Sequence, residues 1–229
     1  MNPLSIVATP IGNLEDITLR ALRVLKEADF VLCEDTRVTK KLLDHYRIKT
    51  PTISYHQHTG ALKTDKIMAL LRSGKNLALV TDAGTPGISD PGGQLVSAVR
   101  QELGEAVKIE SIPGAAALAA AVSIAGRGFD RFLFLGFLPH KKGRQTMLRE
   151  IMNSAYPVVI YESKHRIVKL LTELESLSRE AGRGINVQVA RELTKQHESF
   201  YQGEPGEIRA KLEDDPQQLK GEFVVLIQN

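Results

Sequence analysis

The sequence predicts two consecutive α/β domains, the first built on a mostly parallel sheet. Three observations carry this. Short apolar runs rich in β-formers alternate with helical patterns along the chain. The texture changes once, around residues 114–131, where small residues and glycine interrupt it. Glycine-rich and charged clusters recur where strands end, the edge at which open α/β sheets bind ligands.

The elements follow in order. "LSIVAT" (4–9) reads as a strand, and "ITLRALRVLKEA" as a helix with Leu19, Leu22 and Leu25 on one face and Asp16 or Thr18 as N-cap. "FVLCED", "PTISYH", "NLALVTD" and "AVKIESI" are further strands, separated by helical "RVTKKLLDHY", "TDKIMALLRSG" and "GQLVSAVRQELG". The second of these helices is expected to end at Gly74. After the small-residue helix in "PGAAALAAAVSIAG", the apolar run in "FLFLGF" opens the second set. There "PVVIYES", "INVQVAREL" and "GEFVVLIQ" are strands, and "RIVKLLTELESLSREAG" and "GEIRAKLED" helices. The domains are placed at 1–115 and 116–229.

The 229 residues are 42% hydrophobic, enough for a packed core and against disorder. No apolar run approaches the roughly 20 residues that span a bilayer. The N-terminus lacks the basic start and apolar stretch of a signal peptide. A single cysteine, Cys33, excludes an internal disulfide and fits a reducing cytosol. A net charge of +3 names no partner, so where the charge lies matters more than its sum.

"VTDAGTPGISDPGG" (80–93) asks for a ligand. Its four glycines permit close backbone approach, and Pro86 and Pro91 stiffen it. It matches neither the dinucleotide fingerprint nor the P-loop. The plainer alternative is a strand-to-helix connection capped by Asp90 or Ser89. "CEDTR", "YESKHR" and "ARELTK" each follow an apolar strand. Singly, each reads as helix capping with surface ion pairs. Three together on the ligand edge read as a site. The turn 113–116 offers free backbone groups, whereas Ala119 to Ala121 suit close helix packing. His56 and His58 share one face of an extended segment, a solvated or substrate-facing pair rather than metal ligands, and no metal site is expected. "PHKKGRQTMLRE" gathers His140, Lys141, Lys142, Arg144 and Arg149 before any acid. It is either a solvated helix start or a phosphate-binding patch.

The motifs "TPIGNLEDIT", "EDTR", "VTDAGTPGISDPG", "PGAAA", "GFLP", "YES.HR", "ARELTK" and "KGE" occur in an order that resembles the RsmI family of the tetrapyrrole-methylase superfamily. The match runs over nearly the whole chain. That family transfers methyl groups from S-adenosylmethionine to a ribose 2′-hydroxyl of small-subunit ribosomal RNA. The resemblance implies two α/β domains of tetrapyrrole-methylase type with the cofactor in the cleft between them. It places Pro10, Asp82, Ala83, Gly84, Thr85, Pro86, Ala115, Ala116, Tyr161 and Ala190 against S-adenosylmethionine. It implies a decoding-region cytidine in 16S ribosomal RNA, naked or in the assembled subunit, as acceptor. A homodimer in the cytoplasm, without membrane association, is expected.

Glu34, Glu192 and Lys195 are the candidates for the base or cation that assists the hydroxyl. Arg37, Lys141, Lys142, Arg144, His165 and Arg166 are the substrate-binding candidates. Two departures from the family pattern stand out: "HQHTG" replaces the frequent "H.HNE", and the chain stops at Asn229, where many relatives continue into a helical segment. The rivals are a small-molecule tetrapyrrole methylase, a metal-dependent nucleotide hydrolase using Glu34, Asp35, Asp82 and Asp90, and an inert RNA-binding module.

Overall fold

The computed structural model describes residues 3–56, 61–126 and 129–229. The chain divides into two compact units, one through Ala116 and one from Ala117.

The first unit alternates strand and helix: β1 (Pro3–Val7), α1 (Leu19–Glu27), β2 (Phe30–Cys33), α2 (Thr36–His45), β3 (Thr52–Ser54), α3 (Ala61–Arg72), β4 (Leu77–Leu79), α4 (Gly92–Leu103) and β5 (Lys108–Ile112). The strands pair in the order β3-β2-β4-β1-β5, parallel throughout. The expected parallel sheet is therefore present here. Its strands read as short apolar runs because apolar clusters lie around them. One holds Leu4, Leu32, Ile67, Leu77 and Leu95, and another Val7, Leu25, Val31, Ala78 and Val80. Thr18 caps α1, its hydroxyl accepting the Ala21 N–H at 3.0 Å. Gly74 adopts φ 79° just past the end of α3. Parallel pairing has one consequence for function: all five strands deliver their carboxyl ends to the same edge.

The second unit contains α5 (Ala117–Ile124), β6 (Leu133–Phe137), α6 (Arg144–Met152), β7 (Val158–Ser163), α7 (Ile167–Ala181), β8 (Asn186–Arg191), β9 (Ser199–Gly203), α8 (Pro205–Asp214) and β10 (Glu222–Gln228). The sheet order is β6-β7-β10-β8-β9. β6 and β7 are parallel, while β10 runs antiparallel to both β7 and β8, and β9 antiparallel to β8. This sheet is mixed, and β9 has no counterpart among the expected strands. Its five residues, "SFYQG", alternate half-buried and exposed at the sheet edge. One apolar cluster joins Leu148, Ile151, Val158, Ile160, Leu170, Leu174, Val187, Ile208 and Val225. Because β10 is antiparallel to its neighbours, its start at Glu222 lies beside Ser163 of β7, and its Phe223 beside Arg191 of β8. "GFLPHKK", "YESKHR", "ARELTK" and "KGE" thus converge on one edge of this unit.

Candidate active site

In the first unit the site is a set of loops laced by backbone. Thr9 and Gly84 exchange both hydrogen bonds, at 2.9 and 3.1 Å. The buried Thr9 hydroxyl also donates to the Thr81 carbonyl at 3.2 Å. Thr85 Oγ1 donates to the Ala115 carbonyl at 3.0 Å. The loops after β1, β4 and β5 are thereby held as one surface. Gly84 and Gly87 adopt φ 87° and 90°, a region that favours glycine. Pro10, Gly84 and Pro86 are buried, whereas Asp82 and Ala83 are exposed and Ala115 and Ala116 half-buried.

The loop after β2 is tied to the same surface, since the Asp35 N–H donates to Asp82 Oδ1 at 3.1 Å. Asp90 accepts from the Gly87 N–H at 2.8 Å and from the Gly92 N–H at 2.7 Å; the N-cap position of α4 is Pro91, and Asp90 rather than Ser89 satisfies the helix's first N–H from one residue further out. Glu34 is half-buried, and its Oε1 is buried without a hydrogen-bond partner. Burial pushes its carboxyl above the usual carboxylate range, and the charges of Asp82 and Asp90 push the same way. Asp35 goes the other way: its hydrogen bonds with the Arg37 side chain and backbone N–H bring it to about 2. The exposed Arg37 therefore partners Asp35 and leaves Glu34 alone.

In the second unit Tyr161 and Ala190 flank Val224 across three strands. Tyr161 contacts the rings of Phe134 and Phe137 at centroid distances of 5.0 and 5.6 Å, and its hydroxyl accepts the Leu118 N–H at the first turn of α5. Ala190 is fully buried. Glu192 and Lys195 meet at 2.8 Å, and the Lys195 ammonium also reaches Glu222 at 2.8 Å. Burial alone would raise the Glu192 carboxyl, but the Lys195 hydrogen bond and the Glu222 N–H outweigh it and the net direction is down. Burial likewise opposes the Lys195 charge, and the two carboxylates reverse that and raise its pKa. Lys195 is thus a cation at neutral pH and not a base.

Arg144 departs from expectation. It is 3% exposed, donates to Glu173 Oε2 at 2.7 and 2.9 Å, and lies 3.8 Å from Glu162, so it is no surface phosphate contact. Arg166 is also turned inward, onto Glu162 Oε1 at 2.6 Å and the Leu138 carbonyl at 2.9 Å. Lys141, Lys142 and His165 are exposed. Arg191, next to Glu192 in sequence, donates to the carbonyls of His197, Gln217 and Lys220 at 2.7 to 2.8 Å.

Sequence reasoning missed Thr9, Glu162, Glu173 and Gly221. Thr9, Glu162 and Gly221 each sit in a motif, "TPIGNLEDIT", "YESKHR" and "KGE", whereas Glu173 lies in a plain helical run with no signal. His58 lies outside the described residues. Among those described, no group of three or more His, Cys, Asp or Glu is arranged to hold a metal ion, and no helix is long and apolar enough to cross a membrane.

A family model for the tetrapyrrole (corrin/porphyrin) methylases matches residues 3–209. Ribosomal RNA small subunit methyltransferase I of Synechocystis sp. is 46% identical over 230 residues, covering 99% of this chain and 79% of the relative. Its namesake in Thermotoga maritima is 40% identical over 213 residues, covering 93% of each chain. This chain belongs to the RsmI family of tetrapyrrole methylases. The structure of the methyltransferase CobJ matches with a TM-score of 0.71 at 19% identity, covering 100% of this chain and 95% of that one. A uroporphyrin-III C-methyl transferase from Thermus thermophilus, complexed with S-adenosyl homocysteine, matches with a TM-score of 0.64 at 20% identity, covering 98% and 97%. At that identity the two structures speak for the fold. As an RsmI-family member the protein is an S-adenosylmethionine-dependent methyltransferase. The loop at 81–87 fits such a cofactor. Two glycines there hold positive φ on a backbone stapled through Thr9, with Asp82 and Ala83 exposed.

Proposed function

We propose that the protein methylates the ribose 2′-hydroxyl of a cytidine in the decoding region of 16S ribosomal RNA, acting as a cytosolic homodimer. The observation that carries this reading is similarity of 40 to 46% identity, over 93 to 99% of the chain, to relatives named ribosomal RNA small subunit methyltransferase I. The solved small-molecule tetrapyrrole methylases that match stand at 13 to 20%, which disfavours that rival.

Bound S-adenosylmethionine supplies a methyl group already activated as a sulfonium. The chain's part is alignment and proton removal. Pro10, residues 82–86, Ala115, Ala116, Tyr161 and Ala190 are the proposed cofactor contacts. Glu34 is the proposed base. Its unpartnered Oε1 and raised pKa make it more basic than an exposed glutamate. It takes the hydroxyl proton as the ribose oxygen gains the methyl group. Lys195, oriented by Glu192 and Glu222, is a fixed cation for the developing alkoxide. Lys141, Lys142, His165 and Arg37 are exposed donors for RNA phosphates. Single-turnover methylation of small subunits whose target cytidine carries a 2′-deoxyribose tests the acceptor. Loss of the product is expected, and undiminished methylation overturns the ribose assignment.

A further inference from the structure

The loop at 138–143 joins β6 to α6 and carries the exposed His140, Lys141 and Lys142. Its own side chains do not hold it. Gly143 precedes α6 at φ 84° and offers no side-chain cap. Two inward-turned guanidiniums, the buried Arg144 and the largely buried Arg166, hold it instead. Arg166 Nη1 donates to the Leu138 carbonyl at 2.9 Å, and Arg144 Nη1 to the Pro139 carbonyl at 3.4 Å. The Arg144 N–H donates to the Lys141 carbonyl at 3.2 Å. Both guanidiniums converge on Glu162, which is 1% exposed: Arg166 at 2.6 Å, and Arg144 at 3.8 Å. Glu173 completes the set at 2.7 Å from Arg144.

A buried ion network of this kind is a poor source of stability, since desolvation offsets most of its Coulombic gain. What it supplies is geometry. The two carboxylates neutralise the two arginines inside, so the uncompensated positive charge of this region sits at the loop tip, on Lys141 and Lys142. We propose that Glu162 is a positioning residue for the substrate: through Arg166 and Arg144 it fixes the 138–143 loop so that Lys141 and Lys142 meet RNA phosphates. The inference rests on the reading of those lysines as RNA contacts.

Glu162→Gln keeps the shape and removes the charge. Trypsin under native conditions should cleave after Lys141 and Lys142 about tenfold faster in this variant, with other sites unchanged. KM for the ribosomal substrate should rise about tenfold, while kcat and S-adenosylmethionine affinity stay within about twofold. In a Lys141→Ala/Lys142→Ala background the same change should add less than about twofold to KM, because nothing remains to be positioned. Should Glu162→Gln not fold, Glu173→Gln weakens the Arg144 arm, leaves the Arg166–Glu162 pair in place, and should speed loop cleavage about threefold. Unchanged cleavage, while the lysine variants still raise KM, overturns the role of Glu162 alone. Faster cleavage with KM unmoved in both backgrounds overturns the substrate role together with the reading of the basic loop.

Discussion

Glu34 and Lys195 show how the same two influences, burial and neighbouring charge, set opposite chemical roles. Around Glu34 both act against the charge, so the folded-state pKa lies above the unfolded value. Around Lys195 two carboxylates overcome burial and keep the ammonium charged. Two consequences follow for Glu34. As a base it must be ionised, so the acid limb of the kcat profile should lie above the ordinary glutamate pKa of about 4.3. Glu34→Gln should remove that limb and lower kcat by about 10² to 10⁴. In the unliganded protein, stability linked to a raised carboxyl is fully present below the unfolded pKa and is lost as pH rises through the folded one. Melting temperature should therefore fall across that window in wild type and less in Glu34→Gln. A variant with full kcat and an unshifted pH profile removes Glu34 from the chemistry.

At the scale of elements, the start of β10 and the end of β8 meet in a tight corner. Gly221 adopts φ 111°, and a Cβ there would lie 2.5 to 2.7 Å from Glu192 Cγ, Cδ and Oε1. Gly221→Ala should displace the Glu192 carboxylate and release Lys195 from one of its two anchors. The strain is expected to cost about 1 to 3 kcal/mol in thermal unfolding. It should lower kcat about tenfold or more. Wild-type kcat in a folded Gly221→Ala protein would mean that the Glu192–Lys195 pair serves structure only. Local pattern marked "KGE" as a motif but not why the glycine is required, because its reason lies 29 residues earlier in the chain, at Glu192. The same distinction separates what the sequence made legible from what it did not. The first sheet was readable because its central runs, β2 and β4, are apolar and almost wholly buried, and strands alternate with helices along the chain. β9 escaped because an edge strand with half-exposed residues has neither signal. Local sequence places Arg144 in a basic surface run, because four of its neighbours are basic. Its inward turn is decided by Glu162 and Glu173, which no local pattern reveals.

For the whole molecule, the question is whether RNA senses net charge or its placement. The net charge is only +3, spread over 30 basic and 27 acidic residues, so a diffuse field would bind RNA weakly. Lys141 and Lys142 are exposed side by side on a loop held from beneath, the arrangement a phosphate contact needs. Each such contact releases counterions and contributes roughly 0.7 to 0.9 to the slope of log affinity against log salt. Lys141→Ala/Lys142→Ala should therefore flatten that slope by about 1.4 to 1.8. Lys26→Ala/Lys211→Ala removes the same charge from exposed positions on α1 and α8 and should leave the slope within about 0.3 of wild type. Arg144 is kept out of the comparison, because truncating a buried ion-paired arginine would lower affinity through misfolding. Equal flattening in both double variants would show that only the sum of charge matters, and would remove the loop from the RNA-binding surface.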